Sequence, residues 1–191
     1  MNPALLTHPN IPKPLHGLNP RTLLGQEWWD ERRHAAYAKE IYHCWACGVH
    51  KSNALYHRWL EGHETYNIDY EHGRAEMIEV VALCHACHNF IHSGRLVAEW
   101  RVKHISQDKA LTILRHGFDV LEAAHLEAFW VAHASYAEIS GIRSHELLGY
   151  GRDIKMQVPW ADWRLVMLGN EYEPLHKSFE EWQAFYARQS A

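Results

Sequence analysis

The sequence contains no apolar run near the roughly 18 residues that a membrane-spanning helix needs, so no transmembrane segment and no membrane partner are expected. It also lacks a basic excess: 19 Lys and Arg stand against 23 Asp and Glu, a formal net charge of −4. Nucleic-acid binders draw much of their affinity from a basic footprint, so such a role here must rest on a local site. Residues 1–20 lack the apolar stretch of a secretory signal, and the expected compartment is the cytoplasm. Cysteine is scarce as well. All four cysteines fall in two C-x-x-C pairs, Cys44/Cys47 and Cys84/Cys87. In a cytoplasmic chain that arrangement reads as metal ligation before disulfides.

What the chain does contain is apolar mass and histidine. Hydrophobic residues make up 47% and include nine Trp, enough for a true core, which excludes wholesale disorder. The 17 histidines are far more than ordinary usage provides.

The expected organisation has three parts: an extended Pro-rich arm over 1–25, a metal-bearing domain over 26–104, and a mainly helical region over 105–191. Pro3, Pro9, Pro12, Pro14 and Pro20 favour extended backbone in the arm. Trp28, Trp29, Ala36, Tyr37 and Ile41 predict a helix over 26–41. Residues 54–61 and 77–83 read as strands around a polar stretch ending near Gly73. A short helix follows from Cys84 to His92, stopped by Ser93-Gly94. Downstream, Ser106 caps a helix ended by Gly117, and a longer helix spans Asp119 to Ile139. Residues 163–173 suggest a hairpin, and Ser178-Phe-Glu-Glu181 is a capping box opening a last helix.

Two C-x-x-C turns supply the tetrahedral thiolate set that zinc prefers, and the alternative is two pairs of redox or core cysteines. Gly48, directly after Cys47, suits a turn with positive φ. The second pair opens a helix, where the N-terminal dipole favours thiolate. His88 and His92 stand at i and i+4 on that helix and share a face. His63 falls near the end of the first predicted strand. Three imidazoles so placed can converge on a second divalent ion with coordination positions left open, the mark of a catalytic site.

With these residues in hand, the segment from about Cys44 to His92 resembles the HNH family of ββα-metal nucleases. The motifs are Cys44-Trp-Ala-Cys-Gly48, Leu60-Glu-Gly-His63-Glu64, and Leu83-Cys-His-Ala-Cys-His-Asn-Phe-Ile-His92. The resemblance implies an α+β fold: a zinc-stapled, treble-clef-like ββα-metal core, with a mainly helical C-terminal half carrying a small hairpin. It places His63, His88 and His92 on metal positions, with Mg, Mn, Ni or Zn as the ion, and Glu64 where the family holds its histidine general base. Glu79 stands where the family carries asparagine. Glu64 acts as the base or as a metal ligand, and a carboxylate with an ordinary pKa near 4.3 is a weaker base than histidine at neutral pH. Shifting the register by one would put Gly62, which has no ligand atom, on the first metal position.

The expected activity is hydrolysis of nucleic-acid phosphodiesters, with DNA as partner, and the resemblance suits a phage or mobile-element protein acting in a host cytoplasm. Arg95, Arg101 and Lys103 form the nearest basic cluster, for nucleic-acid backbone or as a solvated face. His57 and Arg58 serve phosphate or a solvated strand, and His85 joins the histidine site or faces solvent. His50 and His72 read as exposed loop residues. Trp28 and Trp29 stack bases or fill a core. Residues 61–79 hold six acids against Arg74, a balance that repels phosphate. That balance supports a second expectation, a catalytically silent scaffold that binds a protein through residues 105–191, with Trp160, Trp163 and Trp182 exposed.

Overall fold

A computed structural model describes residues 1–8, 11–142 and 158–189; Pro9 of the expected arm lies outside them. The chain divides into two compact units. One comprises Met1–Asn10, Arg33–His63 and Val81–Arg152, the other Ile11–Arg32, Glu64–Val80 and Asp153–Ala191. The fold is mixed α+β. Among the described residues its helices are α1 (Pro20–Leu24), α2 (Gln26–Lys39), α3 (His85–Ile91), α4 (Ser93–Arg101), α5 (Gln107–Ala123), α6 (Trp130–Ser140) and α7 (Phe179–Gln189). The strands β1 (Glu61–Asp69), β2 (Arg74–Leu83), β3 (Arg164–Met167) and β4 (Asn170–Tyr172) form one sheet in the order β1-β2-β3-β4. No described helix is long and apolar enough to cross a membrane.

In the first unit, Val81, Ala82 and Leu83 of β2 pack in one core with Phe90 of α3, Leu96 of α4, and Ile113 and Leu114 of α5. Ser106 caps α5 as expected, its Oγ accepting from Lys109 N at 3.2 Å. In the second unit, β2 pairs with β3 in parallel and β3 turns back on β4. Trp163, Leu165 and Met167 are buried there with Leu15 and Leu18. Ser178 caps α7 as expected, its Oγ accepting from Glu181 N, while the Glu181 carboxylate accepts from Lys177 N, one residue before the cap.

Several expectations are corrected. The N-terminal arm is not extended. It forms 3-10 turns at Pro3–Thr7 and Lys13–Leu15 and then α1, because proline at the first helical positions starts a turn rather than preventing one. Each turn then buries leucines, Leu5 and Leu6 in the first unit and Leu15 in the second. Residues 54–60 are not a strand; β1 starts at Glu61 and occupies the stretch read as a polar connection, so His63 lies near its beginning. Ile41 does not continue α2. It and Tyr42 take positive φ, and Ile41 is exposed. The expected Asp119–Ile139 helix is two, since α5 ends at Ala123 and His125 turns the chain at φ +56°. The short helix ends where expected, α3 closing at Ile91 with His92 as its C-cap, but Ser93 and Gly94 open α4 rather than a loop. Trp163 is fully buried, not exposed, and Trp182 is half-buried and stacked on Phe179 at 5.6 Å.

Gly117 does not end a helix; it sits within α5 because the Phe90 ring occupies the space a side chain would fill. A Cβ there would lie 2.1 Å from Phe90 Cδ2. Alanine gains about 1 kcal/mol of helix propensity over glycine, but the buried ring has nowhere to retreat. Gly117→Ala is therefore expected to lower stability by about 1–3 kcal/mol, the cost of overpacking, as a reduced urea midpoint.

Candidate metal centres

The first centre begins with the knuckle of residues 44–48. His43 and His50 form an antiparallel bridge at its base. Cys44 N donates to Val49 O, and Gly48, at φ +74°, donates its N–H to Cys44 O. Trp45 N donates to Ala82 O, which ties the knuckle to β2. The second pair follows directly from β2: Cys84 is the N-cap of α3, its sulfur accepting from Cys87 N. Cys44, Cys84 and Cys87 are buried and none of the four is in a disulfide.

Their sulfurs all lie within 4.8 Å of one another, and Cys47 Sγ is 3.8 Å from Cys84 Sγ. A zinc-sized ion bound tetrahedrally at about 2.3 Å spaces its sulfurs about 3.8 Å apart. The four cysteines can therefore hold a metal ion with little movement. Cys47 is drawn far below the usual thiol range by the sulfhydryls of Cys44, Cys84 and Cys87. Cys84 and Cys87 are pushed up in turn, chiefly by sharing protons with Cys44 and Cys47. His116, on α5, brings Nε2 to 3.4 Å from Cys87 Sγ, and hydrogen bonding to Cys47 raises its pKa. An imidazole N–H beside the sulfurs offsets part of the negative charge that four thiolates carry. Sequence reasoning missed His116, which lies on a different helix and has no spacing relation to the cysteines.

The second centre joins β1 to α3. His63, His88 and His92 bring ligand nitrogens within 4.8 Å of one another, with ring centroids 4.8–5.4 Å apart. His63 is 5% exposed, and neither ring nitrogen has a hydrogen-bond partner among the described residues. An orphaned buried imidazole is costly unless something fills its lone pair. Burial, then the charges of His88 and His92, hold His63 well below the ordinary histidine range. Burial and the charges of His88 and Arg95 push His92 down to about 3. Neutral imidazoles at neutral pH are the form that binds metal.

Glu61 was absent from the expected site, yet it organises this one. One carboxylate oxygen lies 2.5 Å from His88 Nδ1 and the other 2.7 Å from His85 Nδ1. The hydrogen bond to His88 leaves Nε2 as its free ligand nitrogen. The signal was the i, i+2 spacing of Glu61 and His63, which puts both on one face once the segment is known to be a strand. His85 does not face solvent: its side chain is 16% exposed and paired with Glu61.

The remaining candidates disperse. Glu64 follows His63 on β1 and leaves the strand from the other face. Its charge acts on the buried Tyr66 hydroxyl, whose pKa is raised by burial and then by the Glu64 carboxylate. Glu64 belongs to no metal-competent cluster among the described residues. Arg95 acts electrostatically on His63 and His92 and donates to Asn89 Oδ1 at 3.2 Å. Arg101 is committed to Glu138 at 2.6 Å, and Lys103 is exposed past the end of α4. Trp29 is buried and Trp28 half-buried. His72 is exposed and paired with Asp69, while His50 is half-buried against His43. Comparison with protein families, with curated proteins and with solved structures finds no match to this chain.

Proposed function

We propose that the chain is a metal-dependent endonuclease of the HNH type, hydrolysing phosphodiester bonds in DNA. In this reading Cys44, Cys47, Cys84 and Cys87 hold a structural zinc, and His63, His88 and His92 hold a catalytic Mg, Mn, Ni or Zn ion. The observation that carries it is His63, a buried imidazole with neither nitrogen partnered among the described residues, gathered with the imidazoles of His88 and His92. The succession β1, β2, α3, with a cysteine pair opening α3, supports the resemblance read from the motifs.

A divalent ion at such a site polarises the scissile phosphate and stabilises charge on the leaving 3′-oxygen. The protein's own contribution is positional. Glu61 fixes the tautomer of His88, and burial keeps His63 and His92 deprotonated. Arg95 supplies positive charge beside the imidazoles for a phosphate oxygen. Glu64 is the carboxylate that the motif offers as base, and its charge also acts on the buried Tyr66 hydroxyl.

The place of Glu64 outside every metal-competent cluster of the described residues favours a second reading, a silent HNH scaffold binding a protein through residues 105–191. Plasmid nicking separates the two. The nuclease is expected to nick supercoiled DNA in Mg²⁺, Mn²⁺, Ni²⁺ or Zn²⁺, and His92→Ala is expected to lose cleavage at least 10²-fold while retaining zinc at the cysteines. No nicking by the native chain in any of these ions would overturn the nuclease reading.

A further inference from the structure

A third cluster lies beside the histidine centre, shares Glu61 with it, and is otherwise unused by the nuclease reading. His57, Glu61 and His85 bring one ligand atom each within 4.8 Å of one another. His57 belongs to the irregular segment before β1, Glu61 opens β1, and His85 opens α3. The His57 and His85 rings meet edge to face with centroids 4.3 Å apart. His57 is also stacked on Trp59 at 4.1 Å, with planes 10° from parallel. That stack holds its ring in place on a segment without regular structure. Glu61 supplies a carboxylate oxygen 2.7 Å from His85 Nδ1.

We infer that His57, Glu61 and His85 form a separate binding site for a first-row divalent metal ion. Two imidazoles and one carboxylate on one face are a ligand set for iron(II), nickel(II), cobalt(II) or zinc(II), and they leave positions open for water or an anionic ligand. The hard, oxygen-preferring Ca²⁺ and Mg²⁺ are disfavoured by two nitrogen donors. Part of the approach needed is already made, because the Glu61–His85 hydrogen bond holds those two groups closer than two ligands of a bound ion stand.

The site is joined to the His63, His88 and His92 centre by a single carboxylate. Glu61 turns one oxygen to His85 and the other to His88. An ion at the third cluster takes the first oxygen as ligand, and the second still accepts from His88 Nδ1. Glu61 thus serves the one site as a ligand and the other as an orienting partner. Its loss is felt at both, and the loss of His57 at one alone.

The test is nickel stoichiometry by calorimetry and by metal analysis after desalting, on full-length protein carrying one zinc at the cysteines. Native protein is expected to bind one Ni²⁺ more per chain than His57→Ala, and His57→Gln is expected to match His57→Ala. His57 stands outside helix and strand, so retained zinc and an unchanged far-UV spectrum establish that each variant folds. Trp59→Ala removes the stack but no donor and keeps the ion with weakened affinity. Glu61→Gln is expected to lose the third-cluster ion and to weaken nickel at the other histidines about 10–100-fold, the usual cost of losing an orienting carboxylate. His63→Ala separates the readings. If native and His63→Ala each bind one Ni²⁺ and His57→Ala binds none, the third site stands while the His63 centre fails. Equal nickel content and affinity in native, His57→Ala and His57→Gln would overturn the inference.

Discussion

Cys84→Ser is expected to strip the bound ion from the cysteines and to unfold the first unit around it. Cys84 is simultaneously a member of the metal-competent cysteine cluster, the residue that follows β2, and the N-cap of α3. Structural zinc in small domains contributes apparent binding free energies of about 10–16 kcal/mol, comparable to or above the roughly 5–15 kcal/mol by which whole domains are stable. A cation would resolve the charge of the packed sulfurs, because ionising them together without one sets like charges against one another in a buried cluster, offset in part by the His116 imidazole. Serine offers a hard, protonated oxygen on a shorter reach and does not replace a thiolate. The expected readout is loss of zinc, collapse of amide-exchange protection across β2 and α3, and a protease-sensitive segment between the two cysteine pairs. A strong chelator should reproduce it in the native chain, and readdition of zinc should reverse it. A Cys84→Ser protein that is metal-free and melts with the native chain would mean that the cysteines are ordinary core thiols.

How much of this was legible in the sequence depends on how local each signal is. The cysteine pairs could be read because C-x-x-C is a closed turn in itself, and the helical pair His88 and His92 because i and i+4 must share a face. His63 was found through the motif rather than through its setting, since β1 was misplaced. The segment Glu61–Asp69 is too polar to signal a strand by composition. It buries only His63 and Thr65, and a sheet needs no more than one packed face. That misplacement hid Glu61, whose part follows from strand alternation. The break between α5 and α6 carries no glycine or proline; it rests on His125 in the left-handed region, a conformation that no residue type there announces. Gly117 misled in the opposite direction. A glycine in a helix normally marks an end, but here it admits a phenylalanine ring from a neighbouring helix, which is a tertiary fact. Trp163 likewise sits where the sequence gives a polar flank on both sides, and only the pairing of β2 with β3 turns it inward.

Glu64→Gln is expected to slow DNA cleavage by about 10²–10⁴-fold, the usual worth of a general base, if Glu64 fills the position to which the motif assigns it. Glutamine keeps the size of the side chain and its hydrogen-bonding capacity, so folding and metal content should not change. The variant isolates the loss of a proton acceptor. Tyr66→Phe does the reverse: it removes the hydroxyl on which the Glu64 charge acts and leaves the carboxylate in place. Under the nuclease reading it should retain or raise the rate, and so should Glu64→His, because imidazole titrates near neutral pH. The three variants respond differently to each explanation. Cleavage that falls in Glu64→Gln and persists in Tyr66→Phe makes Glu64 the base and leaves the Tyr66 hydroxyl without a part in the reaction. Cleavage indifferent to all three keeps the nuclease but removes Glu64 from it, as its departure from the opposite face of β1 to His63 would then explain. Absence of cleavage throughout, with zinc retained at the cysteines, would show that the exchange of histidine for glutamate had left the metal-binding framework standing without its chemistry.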